Sequence, residues 1–192
     1  MKRPDIRVSP SFFIYIALFI ILLPIKWLTA WLFATFVHEF LHYIAIRLCR
    51  AHVRSVYISA ASLSIETDFD SNLKECFCAA AGPIGSFFVL CCIHRFPLFG
   101  FWGLVQLTYN LIPIYPSDGS RVFRCAAKYI LPNKYYGPFT EITEQLCILA
   151  IIASAICISI RFKAGIISFV IVTIFFLRQR KIPCKRWYKR VQ

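Results

Sequence analysis

Apolar residues run almost without a break from Phe12 to Cys49, interrupted only at Pro24-Ile25-Lys26. As one helix this stretch would be roughly 57 Å long at 1.5 Å per residue. A hydrocarbon core is about 30 Å thick. The break therefore predicts two helices, over 12–24 and 27–49, joined by a tight turn. Between His52 and Asp70 the pattern changes, and Val53, Val56, Ile58, Leu63 and Ile65 stand among Ser, Ala and charged residues. This segment is β-leaning and too polar to span, which predicts a short re-entrant hairpin or loop over 53–67. Apolar runs return at 73–93, 98–114, 143–160 and 164–177. The first of these holds Ala79-Ala80-Ala81-Gly82-Pro83-Ile84-Gly85-Ser86, small residues that allow close helix approach, with Pro83 expected to kink the helix. Pro113 and Pro116 break the next one, and a polar loop is expected from Ser117 to Thr140. A basic tail, 178–192, follows the last run. The expected fold is an all-α membrane protein of about six transmembrane helices with a short re-entrant β-hairpin, in a single domain over 1–192 without internal repeats.

Composition agrees with that class. The chain is 59% hydrophobic, 17% aromatic and only 16% charged, with a mean hydropathy of +0.66. A water-soluble domain of 192 residues could not hide so much apolar surface, whereas a lipid bilayer is the natural partner for it. The net charge of +13 raises nucleic-acid binding as a reading. No basic face carries interleaved aromatics, however, and Lys and Arg cluster at the ends of apolar runs, so nucleic acid is excluded as a partner. Of 22 Lys and Arg residues, only Lys26, Arg95, Arg161 and Lys163 fall on one side of the six-helix arrangement. The bias puts both termini in the cytoplasm. The basic stretch Met1–Pro10 has the look of a signal peptide, but no small-residue cleavage site follows, so a retained first membrane segment is expected. Nine cysteines are scattered without C-x-x-C spacing and read as small buried hydrophobes.

The chemistry begins at His38-Glu39-Phe40-Leu41-His42, inside the second predicted helix. Residues four apart lie on one helix face, so both imidazoles can grip one metal ion. Glu39 stands beside the first ligand, where it can serve a water at the metal as general base, the logic of H-E-x-x-H zinc peptidases. Each ionisable group in hydrocarbon costs about 2.5–3.5 kcal/mol on insertion scales. A polar cluster packed between helices for stability is the plain alternative. His38 lies eleven residues below Trp27, or roughly 16 Å into the bilayer, which places the site in its inner half.

Two histidines leave zinc short of protein ligands, because a catalytic site commonly has three plus an open position. Asp118 is the candidate third ligand, in the segment from Asn110 to Gly119. A helix broken by two prolines is tolerated at membrane depth where it lines a cavity, and Gly119 lets the backbone turn after the carboxylate. Pro-Ser-Asp-Gly is also an ordinary turn sequence, and taken alone it reads as one.

Together these segments resemble the site-2 protease family of intramembrane zinc metalloproteases, in particular the compact branch with the stage IV sporulation protease that processes a pro-sigma factor. Three motifs match in order: His38 to His42, Ala81-Gly82-Pro83, and the N-x-x-P…D-G pattern from Asn110 to Gly119. The resemblance implies one zinc per chain on His38, His42 and Asp118, Glu39 as catalytic base, and a hairpin near 53–67 gating substrate. Asn110 becomes a candidate for holding the substrate backbone or oxyanion, against a structural role at the broken helix. Leu41 departs from the Gly that often precedes the second histidine, and Ser59-Ala60-Ala61-Ser62 replaces a Gly-rich loop. The PDZ or CBS domain of many members is absent, so a separate regulatory membrane protein is an expected partner beside the lipid bilayer and a membrane protein substrate. The implied location is a bacterial cell membrane. The expected activity is hydrolysis of peptide bonds in membrane-embedded or membrane-associated proteins, with a pro-sigma or anti-sigma factor as the substrate class. A membrane zinc carrier and an inactive pseudoprotease are the rival readings. The intact Glu39 argues against both, since neither needs a base.

Overall fold

The computed structural model describes residues 5–58, 63–115 and 117–162. Six helices are α1 (Pro10–Leu22), α2 (Ile25–Leu48), α3 (Asn72–Cys91), α4 (Pro97–Leu111), α5 (Asp118–Ile130) and α6 (Asn133–Phe162). A small sheet is formed by β1 (Asp5–Val8), β2 (His52–Ile58) and β3 (Leu63–Asp68). The chain is therefore mostly helical. The expected run 164–177, the tail 178–192 and the loop Ser59–Ser62 lie outside the described residues.

Proline sets the first boundary. Pro24 has no N–H to continue α1, which closes with Leu23 N–H donating to the Phe19 carbonyl. The Pro24 carbonyl then accepts the N–H groups of Trp27 and Leu28 and starts α2. Helices α2, α3 and α4 pack on one another, and α5 packs on α3. Their shared interior is made mostly of small side chains, with the larger Leu28, Ile46 and Val89 among them. Ala30, Ala34, His38 and Ala45 are buried on α2, while Cys78, Ala79, Ala81, Gly82, Gly85 and Ser86 are buried on α3. Large apolar side chains point outward instead: Phe13, Ile21, Phe36, Phe87, Phe88 and Leu149 are all exposed. Small inside and large outside is the distribution that suits helices packing in hydrocarbon rather than in water. Leu41, the departure from a small residue, lies against Gly85, whose Cβ would stand 3.3 Å from its Cγ. The missing side chain at position 85 thus makes room for the added one at 41. Helix α3 continues through Pro83.

Among the described residues, one helix, α3, is long and apolar enough to cross a membrane by length and composition. Helix α2 carries His38, Glu39 and His42, which dilute its hydropathy, and α1 has 13 residues.

Strands β2 and β3 form an antiparallel hairpin, with Val56 opposite Ile65 and a register shift between Val53 and Ser55. The basic stretch ahead of α1 holds a strand where the sequence pattern assigned no element. Asp5–Val8 forms β1, parallel to β2 with Ile6 opposite Val56. Its Asp-Ile-Arg-Val alternation is correct for a strand, but four residues are too few to announce one. The expected polar loop over 117–140 is mostly helical. Helix α5 occupies Asp118–Ile130, and α6 begins at Asn133, ten residues before its expected start at 143. Three cations on α5 (Arg121, Arg124 and Lys128) disguise a helix that buries Gly119, Ser120, Cys125 and Ala127. Burial pushes the Cys125 thiol up to about 12, so it acts as a small packing group and not as a thiolate. No disulfide joins the described cysteines.

Candidate metal centre

His38 and His42 lie one turn apart on α2, and each has its outer ring nitrogen engaged by α3. His38 Nδ1 is 2.9 Å from the Ser86 hydroxyl, and His42 Nδ1 donates to the Cys78 carbonyl at 2.8 Å. A carbonyl can only accept, so neutral His42 carries its proton on Nδ1 and presents a lone pair at Nε2. These bonds hold the rings nearly perpendicular, at 82°, with centroids 4.9 Å apart.

Asp118 arrives from the other direction, on the first turn of α5. Ser117 caps that helix by accepting the Ser120 N–H at 3.2 Å, and its own hydroxyl donates to the Ile112 carbonyl at 2.5 Å. The same turn that caps α5 therefore carries the carboxylate to the histidines. Asp118 Oδ2 stands 3.1 Å from His38 Nε2 and 3.0 Å from His42 Nε2. Gly119 is needed for a reason other than turning. A Cβ there would come within 2.5 Å of the Leu111 carbonyl oxygen and 2.7 Å of the Asn110 carbonyl oxygen, so its bareness lets α5 close on the end of α4.

The three side chains suit a metal. Their ligand atoms all lie within 4.8 Å of one another. Ligands about 2.0–2.2 Å from a tetrahedral zinc are spaced roughly 3.3–3.6 Å apart, a little more than the two separations of Asp118 from the histidines. His42 Nε2 faces a carboxylate oxygen at 3.0 Å, a contact that a proton on the ring or a bound metal ion would each satisfy. Position 82 makes the space. A Cβ there would overlap His42 Nε2 and stand 2.6 Å from His38 Nε2.

Glu39 is half-buried beside the group and makes no hydrogen bond or ion pair with the described residues. Asn110, on the last turn of α4, likewise has a side-chain amide without a hydrogen bond among the described residues. Arg121, one turn after Asp118, keeps its Nε buried and without a hydrogen-bond partner among the described residues. The sequence pattern pointed to neither Arg121 nor Ser86. Ser86 stood in a run of small residues read as packing, and only the fold brings it to His38 across 48 positions.

The fold has a relative among solved structures. No family model and no curated protein matches the chain. Among solved structures, it matches a site-2 protease from Methanocaldococcus jannaschii with a TM-score of 0.54 and 17% identity, over 95% of this chain and 94% of that one. The chain has a site-2 protease fold. In this chain the small-residue face of α3 supports both histidines, and α5 delivers the aspartate.

Metal-binding histidines depend on the partner of their second nitrogen, and losing it costs about 10–100-fold in metal affinity. Ser86→Ala in this site-2 protease fold is expected to weaken zinc binding about tenfold, read by competition with a chromophoric chelator. Wild-type affinity in that variant would leave the orientation of His38 to packing alone.

Proposed function

We propose that this chain is an intramembrane zinc metalloprotease that hydrolyses peptide bonds of membrane-embedded or membrane-associated proteins. The observation that carries the reading is the convergence of His38 Nε2, His42 Nε2 and Asp118 Oδ2 beside Glu39, whose carboxylate has no hydrogen-bond partner among the described residues. When bound, zinc supplies Lewis acidity, which acidifies a water and polarises a carbonyl. Ser86 and the Cys78 carbonyl keep the two Nε2 atoms aimed at the ion. Glu39 takes a proton from the attacking water and passes one to the leaving amine. Asn110 offers its free amide to the substrate backbone or the developing oxyanion.

The outward-facing large side chains and the site-2 protease fold support a multi-pass membrane setting. In the full reading about six helices span, both termini are cytoplasmic, and substrates are membrane-tethered regulators such as pro-sigma or anti-sigma factors. A separate membrane protein regulates access. The nearness of this chain to the sporulation branch rests on the spacing of Asn110 and Asp118.

Purified protein in detergent is expected to contain close to one zinc per chain by elemental analysis and to cleave a membrane-tethered substrate until a chelator removes the metal. His38→Ala, His42→Ala and Asp118→Ala should each lose most of the zinc. Full zinc in Asp118→Ala would break the three-ligand assignment. Reporter fusions at Gln192 and Asn133 should both read as cytoplasmic. An external Asn133 would separate the α5 segment from the membrane face proposed for the histidines.

A further inference from the structure

Glu144 belongs to α6, which carries none of the converging side chains, yet both of its carboxylate oxygens are spent on the chain around Asp118. Oε1 accepts the Tyr115 backbone N–H at 3.1 Å, three residues before Asp118. Oε2 accepts from Arg124 Nη2 at 2.9 Å, six residues after it. The Arg124 guanidinium also lies over the Tyr115 ring, 6.0 Å from its centroid, so the two held points touch each other.

The chain before Asp118 has a second hold besides the packing of α5 on α3. Pro113 can donate nothing, and the described backbone bonds of the turn are local, from Ile114 N–H to the Ile112 carbonyl and from Ser117 N–H to the Ile114 carbonyl. Those bonds shape the turn but do not fix its height against α2, where the histidines are. The Tyr115 N–H, half-buried, is given its acceptor by Glu144. The ion pair beneath it is 24% and 22% exposed at its two side chains, partly buried and so less screened than a fully exposed pair. A carboxylate that accepts a backbone N–H and an arginine at once is a two-point clamp.

We propose that Glu144 is a positioning residue for Asp118, clamping the chain on both sides of the carboxylate so that Oδ2 meets the two histidines. The inference rests on Asp118 being a metal ligand. It makes α6 a mechanical part of the metal centre: a shift of that helix along its axis draws Asp118 with it.

The test uses the full chain in detergent. Apparent affinities for zinc and for cobalt(II) are measured by chelator competition, and the visible spectrum of the cobalt form reports ligand geometry. Glu144→Ala should weaken metal binding about tenfold or more and change the cobalt spectrum, with helix content preserved. Glu144→Gln keeps an acceptor for the Tyr115 N–H but loses the charge toward Arg124, and should fall between wild type and alanine. It also carries the test if the alanine variant does not fold. Glu141→Ala, an exposed carboxylate one turn away on α6, should match wild type. Wild-type affinity and spectrum in both Glu144 variants would overturn the clamp while leaving the ligand assignment intact. A wild-type protein that binds neither metal would overturn the clamp and the metalloprotease reading together.

Discussion

Replacing Glu39 by Gln is expected to abolish cleavage while leaving the metal in place. Glu39 is not among the converging ligand atoms, and its carboxylate makes no hydrogen bond or ion pair with the described residues. Glutamine has the same shape and keeps the packing of α2. What it loses is the ability to take a proton. Removal of a general base typically costs about 10²–10⁴-fold in rate, enough to erase a cleavage product in co-expression. The measurement compares wild type and Glu39→Gln on membrane-tethered substrates carrying helix-breaking residues near the inner face, because a regular helix buries its carbonyls in its own bonds. Zinc content is read in parallel. Equal zinc with cleavage by wild type alone supports a protease. A variant that cleaves as fast as wild type shows that Glu39 is not the base. A zinc carrier would retain transport in the same variant.

Gly82→Ala is expected to empty the site without unfolding the helix. Propensity alone argues the other way, since alanine is favoured over glycine in a helix interior by about 1 kcal/mol. The local geometry decides against it. The added methyl would overlap His42 Nε2 and crowd His38 Nε2, and those rings cannot swing away without giving up Ser86 and the Cys78 carbonyl. Forcing a methyl into a filled site costs about 1–3 kcal/mol, roughly one to two powers of ten in metal affinity. Ile84→Ala is the comparison, because Ile84 is exposed on the same helix. It should bind zinc like wild type. Gly82→Ala with normal zinc affinity would mean that the metal does not sit between these rings.

The histidine pair was legible in the sequence because a four-residue spacing has one geometric meaning on a helix, and α2 is a helix through both positions. Asp118 was legible only beside that pair. Its local sequence reads as a turn, and in the structure that turn also caps α5 through Ser117 and Ser120. The reason offered for Gly119 differs from the one found, since close approach to the Leu111 and Asn110 carbonyls demands it. Helix α5 was hidden because its cations outweigh a narrow buried stripe. Glu144 could not be found from the chain alone. Nothing about a glutamate near the start of an apolar helix foretells that it will face a loop 29 residues earlier. Partners of that sort are fixed by tertiary packing, which pattern and spacing do not encode.

The two histidines are held by different kinds of atom, and this makes them unequal under sequence drift. The partner of His38 is a side chain, so a single substitution at position 86 deletes it. The partner of His42 is the backbone oxygen of Cys78, which every amino acid supplies. A substitution scan would score position 78 by bulk alone and give no hint that it orients a ligand. Related chains can therefore differ freely in residue identity at 78 and still inherit the same imidazole tautomer, provided the helix passes through the same place.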